Sequence, residues 1–234
     1  MKIKRFINLH KGATFLFVLG LMIAYQNFTF GPWIYLSLHG TYGILWLLKD
    51  RIYPDKQWEQ EVSWSTGVLG FGVISLYWVA PFILISSRLE PALPLIAAAV
   101  AICIVGIFLH YSSDAQKHYT LKYKSGLITE GFFARCRNTN YLGEILIYLA
   151  FAMIASSWIP FVILGGGSLP ASSSQICSKK TSRLSATLIL NPTKLAQDYC
   201  SLSFLLPIPE VLKALCQSFV VRFDPLILDQ HGHR

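Results

Sequence analysis

Charged residues are scarce in this sequence. Asp, Glu, Lys and Arg make up 14% of its 234 residues, where a soluble globular domain carries about 25%. That scarcity excludes an ordinary water-facing surface. Metal-ligand spacing is missing too. The five cysteines (Cys103, Cys136, Cys177, Cys200, Cys216) form no CxxC pair, and the six scattered histidines form no HExxH, so nothing points to zinc chemistry. No internal repeat is visible. Met1 to Lys11 is basic and precedes an apolar run, yet Thr14 to Phe30 lacks a clear small-residue cleavage site, which reads as a retained first helix and not a removed signal. Nor is the net charge of +8 a nucleic-acid footprint. Cations beside apolar spans mark cytoplasmic loops.

What is present is apolar length. Hydrophobic residues make up 53% of the chain, mean hydropathy is +0.48, and several runs reach the ~18 residues of a spanning helix. The pattern predicts an all-α fold, a polytopic transmembrane helix bundle of about five spans. The spans fall roughly at Gly12 to Phe30, Trp33 to Leu48, Trp64 to Ile85, Ala92 to His110, and Tyr141 to Leu164. Gly31-Pro32-Trp33 is expected to make a tight turn, with Trp33 as an interfacial anchor. Lys2, Lys4, Arg5 and Lys11 place the N-terminus in the cytoplasm. Four crossings then return the chain to the same side, and the lipid bilayer is the first partner implied.

The polar island from Tyr111 to Glu144 holds most of the residues able to do chemistry. Lys117, Lys122, Lys124, Arg135 and Arg137 stand there with Asp114, Glu130, Asn138, Asn140, Tyr141 and Glu144. Such a cluster at the mouth of a bundle suits an anionic cofactor. Each residue also has a plainer reading. The cations serve as orientation markers. Asn138 and Asn140 serve as helix caps. Glu144, expected in the first turn of the fifth span, complements the helix dipole there. His39 and Tyr42 read as packing or interfacial residues. Co-occurrence lifts the site reading above these.

The run Gly131-Phe132-Phe133-Ala134-Arg135, followed by Arg137-Asn138-Thr139-Asn140-Tyr141-Leu142-Gly143-Glu144, with Asp114 upstream, resembles the membrane reductases with a steroid 5-alpha-reductase C-terminal domain, and their DUF1295-like relatives. The resemblance is most specific from Ser113 to Glu144. It implies NADPH as cofactor and reduction of a carbon–carbon double bond conjugated to a carbonyl in a hydrophobic small-molecule substrate. Arg135, Arg137 and the lysines would then hold phosphates. Asn138, Asn140 and Tyr141 would offer polar groups to ribose or nicotinamide, Gly143 would permit close backbone approach, and Glu144 and Asp114 would complete the site. The family's carbonyl-polarising acid has no residue-by-residue match; His39 and Tyr42 are candidates by chemistry. The rival class is the S-adenosylmethionine-dependent methyltransferases of the isoprenylcysteine type, which carry an RHPxY-like motif where this chain has Arg137 to Tyr141.

The sequence divides into 1–110 (spans one to four), 111–164 (cofactor-site loop and fifth helix) and 165–234. In the last part, Gly165-Gly166-Gly167-Ser168 opens a Ser/Thr/Lys mixture, where the resemblance implies a basic end resembling PNLLKKDKSLSRYP. Codons for Gln175 to Leu188, regrouped out of frame, can supply Asn, Leu, Lys, Lys and Asp and then Arg, Tyr and Pro in order. Residues beyond about Leu164 to Gly167 are therefore expected to be out of frame, and an inactive, frameshifted relative is a third reading.

Overall fold

The computed structural model describes residues 1–134 and 136–167. Arg135 and the expected out-of-frame tail from residue 168 onward lie outside the described residues. Among the described residues seven α-helices follow in order: α1 (Lys4–Ala24), α2 (Phe30–Ile52), α3 (Trp64–Ser75), α4 (Val79–Ser86), α5 (Leu93–Tyr123), α6 (Thr139–Ile154) and α7 (Trp158–Gly167). The fold is helical, as composition predicted.

Among the described residues, three segments are long and apolar enough to cross a membrane: Lys4–Ala24, Trp64–Ser86 and Leu93–Tyr123. They turn large apolar side chains outward, among them Leu16, Leu69 and Ile104, as a lipid-facing surface requires. Two of the five expected spans do not qualify. Helix α2 is long enough, but Tyr35, His39, Tyr42 and Lys49 on its buried face depress its hydropathy. Helix α6 has 16 residues, about 24 Å of rise, against a hydrocarbon core of about 30 Å.

Local chemistry moves several boundaries. The first helix begins at Lys4, inside the basic segment, and not at Gly12. Gly31 and Pro32 make no turn. They lie in the first turn of α2, where the missing proline N–H costs no hydrogen bond. The real turn is Tyr25 to Thr29, with Gln26 at φ 48°. Trp33 does sit at a helix start, half exposed, its indole donating to the Phe28 carbonyl at 3.1 Å. Between α3 and α4 a short 3-10 stretch, Leu76–Trp78, precedes Pro81, whose ring cannot accept a regular α turn behind it.

The predicted island is not one loop. Helix α5 runs on through it to Tyr123. The fifth span is not one helix either. It breaks at Ala155 to Ser157, with Ser156 at φ 49°, and the chain continues as α7.

The segments α1, α2, α3 with α4, α5 and α6 alternate in direction, α4 continuing α3 through the 3-10 stretch. At one end, Val62 and Met1 exchange backbone hydrogen bonds, the N-terminal amine donating to the Val62 carbonyl at 3.0 Å and the Val62 N–H to the Met1 carbonyl at 2.8 Å. Lys2 and Lys4 both donate to Glu59. The Lys117 ammonium joins the same end, 3.2 Å from Asp55. At the opposite end, Asn27 donates to the Ile85 carbonyl at 2.9 Å and Arg88 to that of Tyr25 at 2.9 Å.

Helix α5 packs most extensively on α6. A Cβ on Gly143 would stand 2.4 Å from the His110 amide nitrogen, and one on Gly106 2.8 Å from the Gly143 carbonyl oxygen. Small residues let these backbones touch. The close approach assigned to Gly143 is therefore made to α5.

Candidate functional site

Two linked polar clusters lie inside the bundle. The first sits where α2, α5 and α6 meet. The Lys49 ammonium is 2.7 Å from Asp114, with side chains 4% and 5% exposed. His110, one turn before Asp114, donates through Nδ1 to the Asn140 carbonyl at 2.9 Å, while its Nε2 stands 3.9 Å from the Asp114 carboxylate. Among the described residues, neither His110 Nε2 nor Asp114 Oδ1 has a hydrogen-bond partner. His110 thus stands between Asp114 and the start of α6, beside the close α5–α6 contact at Gly106 and Gly143.

The second cluster lies deeper. Lys11 of α1 is 5% exposed and donates to two phenols, Tyr42 on α2 at 3.2 Å and Tyr148 on α6. Its ammonium lies over the Tyr42, Trp46 and Tyr148 rings at 4.3, 5.0 and 5.0 Å, a desolvated cation held by π faces and hydroxyls. Glu144, half-buried one turn before Tyr148, acts electrostatically on Lys11, Tyr42, Tyr111 and Tyr148. His39 is fully enclosed; Nδ1 meets the Tyr35 hydroxyl at 3.0 Å and its ring stacks on Phe151 at 4.2 Å.

The expected site residues divide accordingly. Asp114, Asn140, Tyr141 and Glu144 come together, Asp114 and Asn140 buried and Tyr141 within the fields of Asp55, Glu144 and Asp114. Glu144 is in the second turn of α6 and not the first, since the helix starts at Thr139. Asn138 occupies the N-cap position without a side-chain capping bond and is exposed. Asn140 lies inside the first turn, so neither asparagine caps. Arg137 stands beside Asn138, half-buried, with no ion pair or hydrogen bond among the described residues. Arg135 lies outside them.

The sequence reading missed several contributors. Lys11 passed as an orientation marker and Lys49 fell just past the expected end of the second span; both are buried. Gln116 also escaped notice. Its amide donates to the Glu130 carbonyl and accepts from the Phe132 N–H, each at 2.9 Å, and so holds the Gly-Phe-Phe turn against α5. Gly131 takes φ 58° there, a left-handed conformation that glycine adopts without penalty. Thr139 continues the tie, donating to the Phe132 carbonyl at 2.6 Å. Lys49 carried one legible signal, Trp46 three residues before it on the same helix; Lys11 carried none.

Fold and site together define a helical membrane protein with a polar centre built on one close-packed helix pair. A family model described as Protein of unknown function (DUF1295) matches residues 48–166. The chain belongs to this family, which is of the steroid 5-alpha-reductase C-terminal type. The match spans the last turns of α2 through α7. No curated protein and no solved structure matches the chain.

Proposed function

We propose that the protein is a membrane-embedded, NADPH-dependent reductase acting on a double bond conjugated to a carbonyl in a lipid- or steroid-like substrate. The observation that carries this reading is the gathering of Asp114, Asn140, Tyr141 and Glu144 at one end of the α5–α6 pair, in a chain of this family. The start of α6 lacks a side-chain cap, and the adjacent Arg137, half-buried and unpaired among the described residues, is available to phosphate oxygens. That donor set fits a dinucleotide. Arg135, Arg137 and Lys117 would hold phosphates, and Asn138, Asn140 and Tyr141 the sugar and nicotinamide edges. When bound, NADPH supplies a hydride. The chain's own part is to orient it, through Glu144 and the Asp114–His110 link, and to exclude water.

Alternation of helix direction supports α2 and α6 as two further crossings, five in all. Lys2, Lys4, Arg5, Arg51, Lys56 and Lys117 share the site's end, while Arg88 marks the opposite one. By the positive-inside rule the site faces the cytoplasm.

Binding to the purified chain in detergent tests the reading. NADPH is expected to bind, and Arg137→Ala to weaken it by about tenfold, the worth of one charge-assisted contact. Stabilisation by S-adenosylmethionine with none by NADPH would assign the chain to the methyltransferase class instead.

A further inference from the structure

We infer that the outward face shared by α1 and α2 holds an anionic phospholipid, its phosphate between Arg5 and Arg51 and its acyl chains along the two helices. This face lies on the other side of the α1–α2 pair from both polar clusters. It stands or falls apart from the reductase reading.

Helical spacing defines the face. On α1, Asn8 meets Asp50 at 2.8 Å and Trp46 at 3.0 Å, so that side is turned to α2. Phe6 and His10 are turned to α3, where they pack on Trp64 and Phe71. At about 100° per residue the side left over carries Arg5, Leu9, Leu16 and Ile23, all exposed. On α2, a Cβ on Gly43 would run into the Lys11 carbonyl oxygen and one on Gly40 into the Phe15 ring, so the glycines are turned to α1. Tyr35, His39, Tyr42 and Lys49 form its core side, all buried. The side left over carries Ile44, Leu48 and Arg51, all exposed. The two helices run antiparallel and the other helices pack on their core sides. Both outer stripes therefore open on one face and flank a shallow groove. Gly12 forms part of its floor, where a Cβ would stand 3.3 Å from the Leu47 side chain.

Charge selects the occupant. Lys2, Lys4, Lys49 and Lys117, at the same end, each have a carboxylate partner. The Arg5 and Arg51 guanidinium groups have neither ion pair nor hydrogen bond among the described residues. Their sequence neighbours Lys4 and Asp50 stand 4.0 Å apart, which brings the two arginines to adjoining positions at the groove mouth. Two unmatched planar forks suit the oxygens of one phosphate. Asp50 is engaged inward by Asn8 and Lys4, so it is not offered to the cation of a zwitterionic headgroup, and a net-negative lipid is favoured.

Length agrees with charge. Hydrocarbon surface begins one turn below the arginines, at Leu9 and Leu48, so the ligand needs an anion joined directly to an apolar body. From Arg5 to Leu16 the helix rises about 17 Å, close to half of a hydrocarbon core of about 30 Å. Beyond Ile44 the α2 stripe continues as Thr41 and Ser37, exposed and polar. The apolar part of the groove is thus the depth of one leaflet.

The test is native mass spectrometry of the full chain in detergent with equimolar phosphatidylglycerol and phosphatidylcholine of identical acyl chains. One phosphatidylglycerol per chain is expected to be retained, with a preference of about tenfold, the worth of one charge-assisted contact. Arg5→Gln with Arg51→Gln should bring the preference close to unity. Lys56→Gln, which removes an exposed cation at the same end, should leave it intact. Equal retention of the two lipids by the unaltered protein overturns the proposal. So does a preference unchanged in the double variant, or a comparable loss in Lys56→Gln, which would mean diffuse surface charge. Displacement by glycerol phosphate at equal concentration would overturn the lipid assignment in favour of a free phosphate ester. A lipid-free dimer would give the face to a second copy of the chain instead.

Discussion

Lys49 reaches from α2 to Asp114 on α5, at 2.7 Å, and neither side chain sees appreciable solvent. A pair so enclosed is costly to form and more costly to break, because either charge alone would be stranded. Asp114→Leu is therefore expected to destabilise the protein by about 3–5 kcal/mol. The double replacement Lys49→Met with Asp114→Leu should recover most of that loss. Unfolding of the unaltered protein and of these two variants in mixed micelles checks this. A double variant no better than the single would mean that Asp114 is held chiefly by something other than Lys49.

The Gly143 contact predicts a local effect of a single methyl group. Its Cβ would meet backbone of α5 at 2.4 Å, and backbone cannot rotate away. Gly143→Ala should cost about 1–3 kcal/mol, the usual penalty of overpacking. Gly20→Ala, with nothing within 4 Å, should cost nothing and gain slightly from helix propensity. The contrast is read from the same unfolding assay.

Gln116 makes two backbone hydrogen bonds to the Glu130–Phe132 turn. Gln116→Ala should remove about 1–3 kcal/mol of local stability and free the segment between α5 and α6. Trypsin should then cut at Lys124 or Arg137 several-fold faster than in the unaltered chain. Equal cleavage rates would show that Thr139 alone suffices to hold the turn.

The clasp at the site's end is acid-sensitive. Hydrogen bonds from Lys2 and then Lys4 hold the Glu59 carboxyl below its usual range. Its contribution is therefore complete above the unfolded glutamate value of about 4.3 and is lost as pH falls through the lower folded value. Carbon-13 NMR of the Glu59 carboxyl should show a midpoint below the ordinary glutamate value of about 4.3. In Lys2→Met with Lys4→Met the midpoint should return to the ordinary range.

The family match ends at residue 166, where the sequence passes into its glycine and serine run. Resequencing the gene from the codon for Ile163 onward is expected to reveal a shifted frame whose repair yields a KKD…RYP-like run. A repaired frame without it would remove the frameshift proposal.

How far the sequence carried depended on whether a residue's surroundings are local. Apolar runs revealed the helices, since side chains that face lipid need no particular partner. Asp114, Asn140, Tyr141 and Glu144 were legible as a motif because they lie on adjoining ends of two consecutive helices. Lys11 was not. Its partners, Tyr42 and Tyr148, are remote in sequence, and a lysine near a span start follows the same rule whether it snorkels or is buried. The extension of α5 to Tyr123 was hidden for a similar reason. Its polar residues suggest a loop until Lys49 and Asp55 supply partners for Asp114 and Lys117. The break at Ser156 does have a signal, Pro160 four residues on, whose ring and missing N–H cannot close a regular turn onto the Ser156 carbonyl.

The Trp46 indole lies between two buried ammonium groups, Lys11 at 5.0 Å and Lys49 at 4.9 Å. Two fixed positive charges act on the excited-state dipole of that ring, so its emission wavelength is tied to both lysines. In a variant keeping Trp46 and replacing Trp33, Trp58, Trp64, Trp78 and Trp158 by phenylalanine, fluorescence becomes an internal voltmeter. It reads the inner cluster and the interhelical ion pair at once, with no label attached.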